Sequence, residues 1–180
     1  RPALHRNEGF MKLIHMSDIH LTSPGTTIGG RDPRHNFERA LEHVLADHSD
    51  AELMVITGDL SDWGDRADYE WLRSRLDSFP LPVRLCIGNH DNRAAFASVF
   101  PEYTERDGFV QGVHDTGVGR CLFLDTTEPK THAGRYCAPR RDWLQQRLAE
   151  HAGPCPVSMH HNPMPTHRGP RDQSRLLHDA

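Results

Sequence analysis

The chain has 180 residues, enough for one domain of ordinary size around one hydrophobic core. Hydrophobic residues make up 36%, and Gly (14) and Pro (13) are plentiful, which favours a loop-rich fold. A net charge of −4 gives no global pull toward nucleic acid or an anionic membrane, and no apolar run approaches the ~20 residues of a spanning helix.

The first ten residues, RPALHRNEGF, carry no signal-peptide-like apolar stretch. They read as an extension, with the domain running from 11 to 180. MKLIHM (11–16) then predicts a strand. The segment 22–30, TSPGTTIGG, is a polar, glycine-rich loop. A helix follows it: Asp32 can cap, Pro33 suits the first turn, and Phe37, Leu41, Val44 and Leu45 form one stripe. ELMVIT (52–57) is a second strand, and Tyr69, Leu72 and Leu76 mark a second helix. VRLCI (83–87) is a third strand, and 94–99 suggests a short helix. CLFLDT (121–126) is a fourth strand. A helix opening at Pro139 carries Trp143, Leu144 and Leu148 along one side, and PVSMH (156–160) is a fifth strand. Several of these strands are nearly continuous apolar runs, as expected where both faces are covered. Strand and helix in alternation predict an α/β layered fold. Cys86, Cys121, Cys137 and Cys155 are scattered without a CxxC pair and read as reduced thiols of a cytoplasmic protein. The unusual count is 14 His. Most belong to a solvated surface; a few are candidates for metal binding.

Those few stand where strands end. The first strand runs into Ser17-Asp18-Ile19-His20, the second into Gly58-Asp59, the third into Gly88-Asn89-His90-Asp91, and the fifth into His160-His161-Asn162-Pro163. In open α/β sheets, sites form beyond the carboxyl ends of strands. Any one of these clusters is unremarkable as a turn or surface pair. Four at the same structural position are not. Asp18 and His20, as alternate residues of an extended segment, would point to one side and offer an oxygen and a nitrogen to one ion. Gly58 lets the backbone turn so that Asp59 can bridge two ions. Asn89 supplies a carbonyl oxygen and His160 another nitrogen. Mixed N/O donors suit Mn, Fe, Zn or Co. Two such ions about 3.5–4 Å apart can clamp a phosphate and activate a water.

DIH (18–20), GDLSDWG (58–64), GNHD (88–91) and MHH-P (159–163) resemble the successive motifs of the calcineurin-like metallophosphoesterases, in order over residues 11 to about 165. Within that family the chain looks most like bacterial class III cyclic-nucleotide phosphodiesterases and glycerophosphodiesterases. The resemblance implies two packed β-sheets flanked by helices, and hydrolysis of small phosphodiesters with two divalent transition metal ions. It implies one metal on Asp18, His20 and Asp59, and the other on Asp59, Asn89 and His160. His90 would face the substrate phosphate and assist the leaving group, with Asp91 orienting its ring; Asn89 would also touch substrate. His161 either lines the pocket or packs.

The family's closing Gly-His-Xaa-His motif has no counterpart in the sequence; His167 and His178 stand singly in the polar stretch HRGPRDQSRLLHDA and read as surface residues. The expectation is a domain lacking its C-terminal part, with weakened metal sites. CLFLDT would then be left with unpaired edges that favour a homo-oligomer. Three other readings compete: a phosphomonoesterase, a nuclease of the same superfamily, and an inactive metal- or nucleotide-binding remnant. The acidic charge and the lack of a basic–aromatic stripe argue against the nuclease. Intact Asn89 and His90 argue against the remnant.

Overall fold

In the computed structural model, residues 10–165 and 174–177 are described. The extension before Phe10, and His167 and His178, lie outside them. The first sheet is parallel, in the order β1 (Leu13–Met16), β2 (Leu53–Thr57), β3 (Val83–Cys86). Its register pairs Leu13 with Leu53 and Met54 with Val83. Every residue of β2 is buried, so this strand is covered on both faces. One face of β2, Met54 and Ile56, packs under three helices: α1 (Pro33–Asp47), α2 (Arg66–Leu76) and α3 (Arg93–Val99). Phe37, Leu41, Tyr69, Leu72 and Phe96 belong to that cluster. The other face, Leu53 and Val55, meets Cys86, Cys121 and Phe123, which joins the first sheet to a second.

The second sheet has the order β4 (Gly112–Asp115), β5 (Arg120–Phe123), β7 (Val157–Ser158). β5 pairs antiparallel with β4 and parallel with β7. Both its edges are therefore occupied, contrary to the expectation that this strand would be left open. A short pair, β6 (Gly134–Arg135) with β8 (Leu176–Leu177), lies beside it in the chain. The arrangement is helices, parallel sheet, second sheet: the layered fold expected. No helix among the described residues is long and apolar enough to cross a membrane.

Local chemistry explains the helix starts. The Asp32 carboxylate accepts from the backbone N–H of Arg34 and His35, with Pro33 in the first turn. Asn92 caps α3 through Ala95 N–H at 3.0 Å. The last helix, α4 (Ala138–Ala149), departs from its expected stripe. Leu148 stays exposed, and the helix is anchored instead by Arg140, which is buried. Arg140 donates to the carbonyls of Asp125 and Thr127 at 2.9 and 3.0 Å and lies over the Phe109 ring.

Asp125 is the hub of that region. Its carboxylate accepts from Arg93 Nε at 2.7 Å, Val110 N at 3.0 Å and Thr127 N at 2.9 Å, with no exposure. Asp125→Ala removes the carboxylate that pairs with Arg93 and lies 3.6 Å from Arg140. Breaking a buried pair from one side costs about 3–5 kcal/mol. We expect a fall in unfolding free energy of that size, read as a lower urea midpoint by circular dichroism, and an unchanged midpoint would show that the network carries no net stability.

Candidate metal centre

The loops that follow β1 and β2 run side by side beyond the strand ends. Asp18 N–H donates to Gly58 O at 3.1 Å, and His20 N–H donates to Asp59 O at 2.9 Å. The pairing continues through Leu21 and Leu60, then Asp62. Along this path the backbone is not extended. Asp18 (φ 57°), His20 (φ 42°) and Asp59 (φ 47°) all lie in the left-handed region. The pair Asp18 and His20 is therefore brought together by two left-handed turns, not by strand alternation as expected. Such residues cost of order 1–3 kcal/mol each and gather at functional sites. Among the described residues only one further non-glycine, Lys130, has a positive φ.

Two glycines permit this geometry. Gly58 has φ 88°, and a Cβ on it would meet His160 Nδ1 at 2.6 Å. A Cβ on Gly88 would collide with Asp59 Oδ1 and Asp59 N. Gly88→Ala must push the Asp59 carboxylate aside. We expect a stability loss of about 1–3 kcal/mol together with lower metal content, read by melting temperature and elemental analysis. Full metal content in a stable Gly88→Ala protein would show that Asp59 does not need its present position.

The buried carboxylate of Asp59 faces two ways. Oδ2 lies 3.7 Å from His20 Nε2, and Oδ1 lies 3.5 Å from His160 Nε2. Asp18 Oδ1 is 3.9 Å from His20 Nε2, and Asn89 Oδ1 is 3.2 Å from His160 Nε2. Two groups of donor atoms close to within 4.8 Å of one another: His20, Asp59 and His90, and Asp18, Asp59 and His160. The donors are nitrogen and oxygen, with no thiolate, a set that suits a divalent cation. Asp18, His20, Asp59, Asn89 and His160, expected together, are together here.

The imidazoles are oriented from behind. His160 donates Nδ1–H to Thr57 O at 2.8 Å, because a carbonyl can only accept. Its Nε2 is left facing Asp59 and Asn89. His20 Nδ1 meets the Asp62 carboxylate at 3.0 Å, which likewise frees Nε2. His90 Nδ1 donates to Asp62 O at 2.9 Å. Asp62 thus holds two rings at once, one by side chain and one by backbone. Its position within GDLSDWG was visible in the sequence, but nothing there marked it as their partner. Outer partners of this kind fix tautomer and ring orientation.

Asp91 does not orient His90. Its carboxylate accepts from Leu60 N (3.0 Å), Ser61 N (3.0 Å), Gly88 N (2.8 Å) and the Tyr69 hydroxyl (2.9 Å). It ties the loop after β2 to the loop after β3 and so holds Asp59 and Asn89 in register. Burial pushes its carboxyl up, against the three N–H groups and Tyr69, which favour its charge.

His161 packs and does not line the site. It is buried, its Nδ1 lies 2.7 Å from Thr126 Oγ1, and its ring fills the space that a Cβ on Gly134 would occupy. Burial, then the neighbouring His160, depress its pKa to about 4, so it stays neutral. Direct contact with substrate, the other expectation for this residue, is not met.

His132 was not expected. Its Nδ1 accepts from Asn89 Nδ2 at 2.9 Å, which turns Asn89 Oδ1 toward His160. Its ring stands 5.5 Å from that of His90. It comes from the loop after β5, and its only sequence signal was membership of an unusually large set of histidines.

The family model described as calcineurin-like phosphoesterase matches residues 11–179. A probable cyclic nucleotide phosphodiesterase of Rhodopseudomonas palustris, RPA0124, is 34% identical, covering 92% of this chain and 62% of its own length. The 3′,5′-cyclic adenosine monophosphate phosphodiesterase CpdA of Pseudomonas aeruginosa is 30% identical, over 85% of this chain and 56% of its own length. A cAMP/cGMP dual specificity phosphodiesterase of Mycobacterium tuberculosis, MT0825, is 29% identical, over 92% and 54%. The chain spans a little over half the length of these relatives. With the family model matched along nearly the whole chain and the loops of the expected motifs converging on one carboxylate, the chain belongs to the calcineurin-like phosphoesterases.

Proposed function

We propose that this chain carries the catalytic site of a phosphodiesterase acting on small cyclic nucleotides, with 3′,5′-cyclic AMP the substrate to test first. The observation that carries the reading is the Asp59 carboxylate, whose two oxygens face His20 on one side and His160 on the other. One carboxylate shared between two donor groups is the arrangement that two adjacent divalent ions need. Asp18, His20 and Asp59 would hold one, and Asp59, Asn89 and His160 the other. Bound there, the pair supplies Lewis-acid charge to the phosphate and an activated water.

The remaining steps belong to the protein. Asp62 keeps His20 Nε2 and His90 Nε2 free by holding both Nδ1 atoms. His90 stands at the edge of the site, half-buried, where it can give a proton to the departing alkoxide. The Asp62 carboxylate also lies 3.8 Å from His90 Nδ1. The relatives named as cyclic nucleotide phosphodiesterases support the choice of substrate class.

The test pairs elemental analysis with three substrates: cyclic AMP, bis(p-nitrophenyl) phosphate and p-nitrophenyl phosphate. Metal-dependent hydrolysis of both diesters, faster than of the monoester, is the expected result. Faster monoester hydrolysis would replace this reading by a phosphomonoesterase. Bound metal without hydrolysis of any ester would mark an inactive binding module.

A further inference from the structure

Beyond His20, the stretch that leads to α1 supplies no donor to the candidate metal centre among the groups found there, yet it is tightly built. Thr22 Oγ1 donates to Thr26 O at 3.0 Å. Arg34 Nε donates to Thr22 O at 2.7 Å, and the same guanidinium meets Asp68 at 2.9 Å. Asp68 in turn accepts from Ser61 Oγ at 2.8 Å, two residues beyond Asp59. At the loop's far end Ile28 and Arg31 pair through two backbone hydrogen bonds of 2.9 and 3.1 Å across Gly29 (φ 56°) and Gly30 (φ 77°). Two successive positive φ values make this a tight hairpin turn whose flanking side chains are held side by side.

That hairpin and the first turns of α1 wall a cavity of about 400 Å³, which also opens on Asp18 and His20. Its volume is within the range of small-ligand sites. Ile28, Pro33 and Phe37 give it an apolar lining, with Ala40 among the lining residues. Ile28 is 42% exposed, an apolar side chain at the rim. Arg31 and Asn36 are exposed and also line the cavity, and neither side chain bonds to another described residue. A guanidinium stacks on π-faces, and a carboxamide offers both a donor and an acceptor to a base edge.

We infer that this cavity takes the heterocyclic base of the substrate, held between the 28–31 hairpin and α1 while its phosphate sits at Asp18 and His20. The inference rests on the phosphodiesterase reading above and gives the substrate class a recognition site. A glycerol group would leave the apolar walls uncovered and has no flat face for Arg31, so the cavity favours a nucleotide over a glycerophosphodiester.

Adenosine tests this without turnover, because it carries the base and no phosphate. The full chain as purified is titrated with adenosine and, separately, with glycerol, and backbone and isoleucine-methyl resonances are followed. Shifts at Ile28, Gly29, Gly30 and Arg31 with adenosine but not glycerol are expected. Ala40→Phe, which fills the cavity from α1, should weaken adenosine binding about tenfold or more, equivalent to about 1.4 kcal/mol. Ile28→Asn, on the exposed hairpin, should weaken it in the same direction without threatening the core. No shift, shifts confined to another face such as that of Trp63, or equal shifts with glycerol would overturn the inference. A protein that hydrolyses no diester, yet shows the expected shifts, would count against the function and not against the cavity.

Discussion

Asp59→Asn should empty both metal positions at once. Asp59 is buried, with its two oxygens directed at separate imidazoles, 3.7 Å to His20 and 3.5 Å to His160. Asparagine keeps the shape but offers one neutral oxygen where two charged ones stood. Its amide nitrogen is a donor and cannot bind a cation. The amide must turn its nitrogen toward one group or the other, so at least one position loses a ligand and both lose charge. Oδ1 also accepts the His90 backbone N–H at 2.9 Å. An amide nitrogen placed there would oppose that donor and loosen the GNHD turn. We expect near-complete loss of metal by elemental analysis and loss of diesterase activity. The circular dichroism spectrum should be kept, because the first core cluster lies beneath the site and does not include Asp59. Two metals per chain and near-normal turnover in this variant would rule out the shared carboxylate.

The first sheet, its helices and the five converging donors were legible in the sequence for a physical reason. β2 is a continuous apolar run, and a polar cluster after such a run can only lie at the sheet's edge. Asp32 and Pro33 announce α1 by local hydrogen bonding alone. What stayed hidden depends on partners distant in the chain. β4, with the sequence GVHD, has little strand character of its own and exists because Gly112–Asp115 pairs with β5. Arg140 is buried because Asp125 and two carbonyls converge on it, which no helical periodicity can announce. The role given to Asp91 failed on the same ground. The family resemblance made Asp91 the partner of His90, but its carboxylate accepts from the Leu60 and Ser61 N–H groups of a neighbouring loop. Asp62 took the role because the loop pairing through Leu21 and Leu60 carries it back under both rings.

His90→Ala separates the protein's acid from its metal ligands. The His90 ring packs edge-on against His20 at 4.9 Å and can bring a nitrogen within 4.8 Å of His20 and Asp59 donor atoms, so ligation and proton transfer make opposite predictions. As a ligand its removal would lower metal content. As an acid its removal leaves metal in place, because Asp18, His20, Asp59, Asn89 and His160 remain. We expect the second outcome, with turnover of cyclic AMP reduced about 10²–10⁴-fold. The loss should shrink for bis(p-nitrophenyl) phosphate, whose p-nitrophenolate leaves with little need of a proton. Asp62→Ala is the companion variant. It removes the carboxylate that holds His20 Nδ1 and lies near His90 Nδ1, while the Asp62 carbonyl still accepts from His90. It should therefore weaken the metal held by His20 while sparing much of the proton transfer. Equal losses for good and poor leaving groups in His90→Ala, with metal content unchanged, would make His90 a phosphate-positioning residue and not the acid.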